Sequence, residues 1–397
     1  MGLSRQNNEN LNEYIYRVCN EKPIVGYTWE DIQITANREF GLEYSADKYR
    51  KQYNRMVSDK YETKLPHSES DVVYNDQIDE YNDLQDKIFK EKLKLRDYRT
   101  QNNANMRLEA RYDSLRDIAF EMADKMNKEK MLSAKQYTVD SNLDKTAILV
   151  IGDWHYGLDV DELWNKYSPE ICRERVSKLR DKAIEIIKRD KISELTLVNL
   201  GDMISGNIHL QLRLSSRLDV VSQTMQVAEI LAEFINDLSE HVSINYYSVS
   251  DNHSRIEPNK ANSFKPESFA RIIDWYVEER LRTNDNVEFC SDSSNDIVQF
   301  SLWDFNVVAV HGDRDPQKGI IERLSGYLQK HFDLVLSAHM HHFSADENNN
   351  TESFCIGSMI GTDEYASSLR LNSKPSQLMI ISTPENITEC IYKIKLD

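Results

Sequence analysis

Five short apolar runs in this chain each end in a polar tip carrying Asp, Asn or His, the side chains that hold divalent cations. Residues 147–151 precede Asp153-Trp154-His155, 195–200 precede Gly201-Asp202, and 244–249 precede Asp251-Asn252-His253. Residues 307–310 precede His311-Gly312-Asp313, and 334–336 precede His339-Met340-His341-His342. Singly these are weak signals, since Gly-Asp is commonly a turn and a lone His commonly serves a strand edge. His339 and His341 say more, because alternate residues of an extended segment face the same way. Two cations held roughly 3.5–4 Å apart need nitrogen and oxygen ligands, with one carboxylate able to bridge. Asp153, His155, Asp202, Asn252, His311, His339 and His341 make such a set. A metal pair of this kind lowers the pKa of a shared water and neutralises phosphate oxygens. The chemistry expected is therefore in-line attack of a metal-bridging hydroxide on phosphorus.

For side chains as distant in sequence as Asp153 and His341 to meet, they must lie just past neighbouring buried strands, whose following loops line one edge of a sheet. From about residue 138 the chain supplies such strands, alternating with amphipathic helices over 173–188, 221–238, 266–281 and 320–330. This alternation implies an α/β domain over 138–397 with a parallel or mixed sheet. After His342 the pattern turns β-rich, at 353–356, 377–382 and 388–394. Asn348-Asn349-Asn350 reads as an exposed loop.

Two helical regions come first. Within 1–66, residues 11–19 read as a helix, and a second starts at the capping box Thr28-Trp29-Glu30-Asp31 and stops at Gly41. A third covers 47–56, so the order is that of a helix-turn-helix. It carries Lys48, Arg50, Lys51 and Arg55 with Tyr49 and Tyr53 between them, which suits DNA phosphates and base edges. A small helical bundle with an ordinary charged face fits the same residues. Residues 67–137 have almost no Gly or Pro. Leu108, Tyr112, Leu115, Ala119, Met122 and Met126 form a heptad seam, and Tyr74, Tyr81, Leu84, Ile88, Leu95 and Tyr98 approximate another. The expectation is a long helical hairpin turning at 101–105, or a coiled-coil linker. Such seams either join two copies of the chain in a homodimer or pack on the catalytic body.

Composition bounds the function. The net charge is −17, and residues 136–397 hold 26 basic against 41 acidic groups, or −15. So acidic a body repels polyanions at long range and argues against a non-specific DNA coat protein, though not against an enzyme. Cys19, Cys172, Cys290, Cys355 and Cys390 are scattered without a C-x-x-C pair, against a disulfide framework or a thiolate zinc site. The polar, Asn-rich start and the lack of any long apolar stretch point to a cytoplasmic location and no membrane partner.

The order D-x-H, G-D, N-H, H-G, H-x-H over roughly 145–397 resembles the calcineurin-like metallophosphoesterases, and within them the phage-type phosphoesterases and nucleases. The resemblance implies a four-layer fold, two packed sheets flanked by helices. It assigns Asp153, His155 and His341 to one metal and Asn252, His311 and His339 to the other, with Asp202 bridging. His253 matches the histidine that contacts phosphate and protonates the leaving oxygen. The chain departs from the pattern in having Asp251 where Gly usually precedes Asn-His, Ser254 where an acid often follows, and Ala338 before the paired histidines. It also lacks the G-D-x-V-D-R-G of the protein phosphatases, which weakens that reading. Asp251, beside His253, is expected to raise its basicity. With no cysteine at the site, two Mn²⁺ ions suit the donors best, with Fe or Zn²⁺ compatible.

Arg213, Arg217, Arg255 and Arg314 follow three of the tips, where they would clamp flanking phosphates of a polynucleotide or simply balance an acidic surface. Trp154 and Tyr156 would either stack a base or pack in the core, the latter favoured for Trp154. The reading is a dinuclear phosphodiesterase, a DNA nuclease above all. The alternatives are a phosphomonoesterase acting on nucleotides or nucleic-acid ends, and a DNA-binding or assembly protein with a vestigial metal site.

Overall fold

The computed structural model describes residues 3–6, 8–58, 71–129, 131–135, 137, 144–363, 367, 370 and 372–397. The chain divides into two compact units, Met1–Arg99 and Thr100–Asp397. The boundaries expected at 66/67 and at 138 lie outside the described residues.

In the first unit three helices pack on one another. Helix α1 (Leu11–Val25) opens at an Asn10–Glu13 capping box and closes on Gly26, so it outruns the expected 11–19. Helix α2 (Trp29–Phe40) has the Thr28–Asp31 box and the Gly41 stop that the sequence advertises. Helix α3 (Ala46–Ser58) turns Tyr49 fully inward, onto Tyr14, Ile15, Val18, Ile32 and Ala36. The Tyr49 hydroxyl donates to Asn37 Oδ1 at 2.6 Å, and that of half-buried Tyr53 donates to Asn20 at 2.8 Å. These two tyrosines therefore build the core of the unit instead of reading base edges.

Helix α4 (Asp71–Lys128) is a single helix of 58 residues, and the turn expected at 101–105 does not occur. Gln and Asn cost only tenths of a kcal/mol each in a helix, and no Gly or Pro is there to reverse the chain. Within Thr100–Asp397, its last turns dock on the body through Ile118 and Met122, both fully buried, flanked by Leu115 and Met126. Ala119 is exposed, so the buried face has an ordinary helical period and not the heptad one expected. Leu84, Ile88, Leu95, Tyr98, Leu108 and Tyr112 are exposed. The side chains of Tyr74 and Tyr81 lie outside the described set.

The body alternates as its apolar pattern demands. In chain order it runs β1 (Thr146–Ile151), β2 (Val160–Asp161), β3 (Lys166–Tyr167), α5 (Pro169–Asp190), β4 (Glu194–Asn199), α6 (Leu210–Leu214), α7 (Val220–Ser239), β5 (Ser243–Ser248), α8 (Phe269–Arg280) and β6 (Val287–Phe289). It continues through β7 (Ile297–Leu302), β8 (Phe305–Val310), α9 (Ile320–Leu328), β9 (Leu334–Ser337), β10 (Ser344–Asn348), β11 (Thr351–Cys355), β12 (Ser376–Ser382) and β13 (Cys390–Lys395). One large sheet has the order β13-β12-β1-β4-β5-β6 and a second β10-β11-β9-β8-β7, while β2 and β3 pair as a small ribbon.

Side-chain alternation sorts these into layers. On β1, Ala147, Leu149 and Ile151 face the cluster that takes in α5, α7 and α8, while Ile148 and Val150 face the second sheet. On β8, Val307 and Ala309 answer them across the sandwich, and Val308 and Val310 turn outward to Ile320, Ile321 and Leu324 of α9. The result is the expected four-layer α/β sandwich flanked by helices, with an all-α region ahead of it. No described helix is long and apolar enough to cross a membrane.

Candidate metal centre

Strands β1, β4 and β5 run parallel, as do β8 and β9, so each set delivers its tips to one edge. The tips are tied to each other by backbone: Asp153 N donates to Gly201 O, His155 N to Asp202 O, and Ala338 N to His311 O, each at 2.9 Å. Asp153, His155, Asp202, His339 and His341 all have left-handed backbone, with φ between 46° and 68°. That conformation costs a non-glycine residue roughly 1–2 kcal/mol, a strain characteristic of functional loops.

Ligand atoms of Asp153, His155, Asp202 and His341 lie within 4.8 Å of one another, and so do those of Asp202, His311 and His339. Asn252 joins the second group, its Oδ1 being 2.8 Å from His311 Nε2. Asp202 belongs to both. The donors also fit cations chemically. Asp153 Oδ1, Asp202 Oδ2 and His155 Nδ1 are buried without a hydrogen-bond partner among the described residues. His155 and His341 bring their Nε2 atoms to 2.9 Å, and His339 Nδ1 stands 3.2 Å from His311 Nε2. Buried lone pairs crowded together in this way are stabilised by a shared positive charge.

A second line of contacts aims the ligands. His311 Nδ1 is 2.7 Å from the Leu200 carbonyl, which can only accept, so Nδ1 carries the hydrogen and Nε2 is left for coordination. His253 is held the same way by the Ser205 carbonyl at 2.7 Å, and its Nε2 faces Asp202 Oδ2 at 3.8 Å. His339 N donates to Asp153 Oδ2 at 2.9 Å and His253 N to Asp202 Oδ1 at 3.1 Å. Gly206, at φ +68°, lets this turn pass under the His253 carbonyl, where a Cβ would collide. Behind Asp202 runs a buried chain: Gly201 N to Asn199 Oδ1 (3.0 Å), Asn199 Nδ2 to the Tyr246 hydroxyl (3.0 Å), and Tyr246 to Asp274 (3.1 Å). Ser205, Asn199, Tyr246, Asp274 and Asp363, whose Oδ2 is 4.0 Å from His341 Nδ1, were not evident from the sequence. A backbone carbonyl has no residue signature, and the others carry no motif.

The expected pairing of Asp251 with His253 does not form. The Asp251 carboxylate folds back over its own turn to accept from Ser254 N (2.7 Å) and Ser254 Oγ (3.0 Å). Ser254, three residues on, competes for the carboxylate as in any Asx turn, and Ser205 O takes the ring.

Burial sets the electrostatics. It pushes Asp153 up to about 8, His311 pulling the other way, and it pushes His341 down to about 4 against the opposing pull of Asp363. Burial also lowers His155 and His339, reinforced by neighbouring histidines. Burial would lower His311 too, but Asp202, Asp153 and Asp251 outweigh it and raise it to about 10. At Asp202 burial acts upward and loses to His253, His311 and His155, which hold it well below the usual range. Three rings are thus kept in the neutral, ligating form. A proton on the fourth supplies positive charge that a cation would replace.

The outer residues divide. Arg217 is paired with Asp159 (2.7 Å) and Glu170 (3.4 Å), and Arg314 with Asp296 (3.1 Å); Arg213 is exposed on α6. Arg255 lines a recess with Asn252. Trp154 and Tyr156 are fully buried, which removes both from base stacking. In the N-terminal unit Lys48, Arg50, Lys51 and Arg55 are all exposed. Arg50 and Lys51 rest on Asp47, and Lys48 lies over the Tyr44 ring.

Comparison with known proteins bears on the two ends differently. Residues 1–65 match the model of the YonJ N-terminal domain. The whole chain is similar to the SPbeta prophage-derived uncharacterized protein YonJ of Bacillus subtilis (strain 168), 27% identical over 384 residues, 93% of this chain and 92% of that one. Among solved structures, a novel archaeal phosphodiesterase matches 63% of this chain and 100% of its own, at 14% identity and a TM-score of 0.34. The zinc complex of Vps29 from Entamoeba histolytica matches 64% and 100%, at 12% identity and 0.31. These structural likenesses are too loose to bear on function; the fold is defined by the sheet order itself.

Proposed function

We propose that this chain is a dinuclear metal-dependent phosphoesterase that hydrolyses phosphodiester bonds, with DNA as substrate. The observation that carries the reading is Asp202: a fully buried carboxylate with an unpartnered oxygen, shared by two groups of Asp and His ligands. Asp153, His155 and His341 would hold one cation, and Asn252, His311 and His339 the other. Mn²⁺ suits this mixture of imidazole, carboxylate and amide. When bound, such cations neutralise phosphate oxygens and make water a competent nucleophile at neutral pH. His253 does the proton work. Its Nδ1 hydrogen is committed to Ser205, so Nε2 is the atom that holds a proton for the departing oxygen. Asp202 orients that ring by accepting from the His253 backbone.

The exposed cations of α3 support DNA phosphate contact by the N-terminal unit, and the prophage origin of the Bacillus subtilis relative fits action in a host cytoplasm. The test is elemental analysis followed by incubation with Mn²⁺ and p-nitrophenyl phosphate, its bis ester, and single- and double-stranded DNA and RNA. Cleavage of DNA and the bis ester is expected. Cleavage of the monoester alone moves the reading to a phosphomonoesterase. DNA binding without cleavage by metal-replete protein moves it to a binding protein.

A further inference from the structure

Beside the metal ligands lies a recess lined by Asn252, Arg255, Lys260, Lys265 and Arg314, opening next to a cavity of about 280 Å³ that His311 lines. On a body of net −15, four cations against two carboxylates, Asp251 and Asp313, at one spot are out of character. Three of them are already matched: Lys260 by Asp313 (3.3 Å), and Lys265 and Arg314 by Asp296. Arg255 is not. Its Nε is buried and has no hydrogen-bond partner, and its guanidinium makes no ion pair among the described residues. The nearby Asp251 carboxylate is taken by Ser254. Nor is Arg255 free to swing away at its base: its backbone bridges Ser268, and Phe269 N donates to Ser254 O at 2.8 Å. A buried, unpaired N–H on a charged group is costly to leave unmade, and a planar guanidinium is satisfied best by a phosphate's paired oxygens.

We propose that Arg255 takes the phosphate next to the scissile one in a polynucleotide strand, making the centre selective for chain-internal diesters over small ones. This rests on the phosphodiesterase reading above. A substrate with a single phosphate places its oxygens at the Asp202 centre and leaves Arg255 empty. A substrate with two phosphates fills both.

The experiment compares wild type, Arg255→Ala and Arg255→Lys as full chains in Mn²⁺, on bis(p-nitrophenyl) phosphate and on a short single-stranded DNA oligonucleotide. In parallel, fluorescence anisotropy measures oligonucleotide binding in EDTA, where no turnover occurs, over a range of salt. The loss of kcat/KM in Arg255→Ala is expected to be about tenfold greater on the oligonucleotide than on the small diester, and to lie chiefly in KM. Binding should weaken with a salt slope shallower by about one phosphate, and Arg255→Lys should recover part of both. Equal losses on the two substrates, or oligonucleotide KM and binding that do not move, overturn the proposal. A wild-type protein that cleaves neither substrate defeats the phosphodiesterase reading instead, and the anisotropy then decides Arg255 by itself.

Discussion

The strand-end cluster and the basic rim around it both follow apolar strands in the chain, and the structure treats them differently. All seven ligand candidates meet within two small groups. The four rim arginines scatter: Arg217 and Arg314 go to carboxylates, Arg213 to the surface, and Arg255 to the recess. The difference lies in what holds them. The ligands stand one to four positions past a buried strand, on tips tied to one another by backbone hydrogen bonds, and a one-residue slip of such a strand would turn its whole apolar face to water. Arg213, Arg217 and Arg255 stand seven or more positions past theirs, and Arg314, four past β8, is held by Asp296. Backbone bonds between the tips therefore carry positional information that proximity to a motif does not.

The contrast is most easily broken at its centre. Asp202→Ala removes the residue common to both groups, so hydrolysis should fall on the order of a thousandfold. Metal content measured on the purified variant should drop with it. Wild-type turnover in that protein would end the dinuclear reading. Mn²⁺ should also raise the melting temperature of the wild type relative to EDTA, and of Asp202→Ala much less.

His253→Gln asks whether the cluster and its proton donor are separable. Turnover is expected to fall roughly 10²- to 10⁴-fold, while metal content stays near two ions per chain. Loss of metal in this variant would make His253 a ligand and not a proton carrier.

Asp274 lies behind the cluster, and burial pushes its carboxyl up to about 6. Below pH ~4 it is neutral whether the chain is folded or not. Between about 4 and 6 the unfolded chain ionises first, so rising pH removes stability, about 3 kcal/mol in all. Above 6 both states are ionised and the loss is complete. Denaturant unfolding of wild type and Asp274→Asn across pH 4 to 7 should show this slope in the difference between the two curves, since Asp153 and His341 titrate in both. Parallel curves would place the titration elsewhere.

The smallest effect belongs to the rim. Arg217 is half exposed, its partners Asp159 and Glu170 sit at the surface, and Arg217→Ala should leave the melting temperature nearly unchanged, with little change in hydrolysis. An oligonucleotide KM shift as large as that of Arg255→Ala would erase the distinction between a matched and an unmatched arginine.

What the amino-acid order determined by itself is local. Short apolar runs became β1, β4, β5, β8 and β9, and Thr28, Asp31 and Gly41 bounded α2, because strands and helix caps depend only on residues a few positions apart. The ligand types were legible for the same reason. Tertiary structure decided the rest. It replaced Ala119 by Ile118 on the buried face and turned Tyr49 inward. It gave His253 to Ser205. Each of these outcomes is a competition among partners for one polar atom or one apolar face. The winner is fixed by which of them the packed layers bring within bonding distance, and separation along the chain does not encode that.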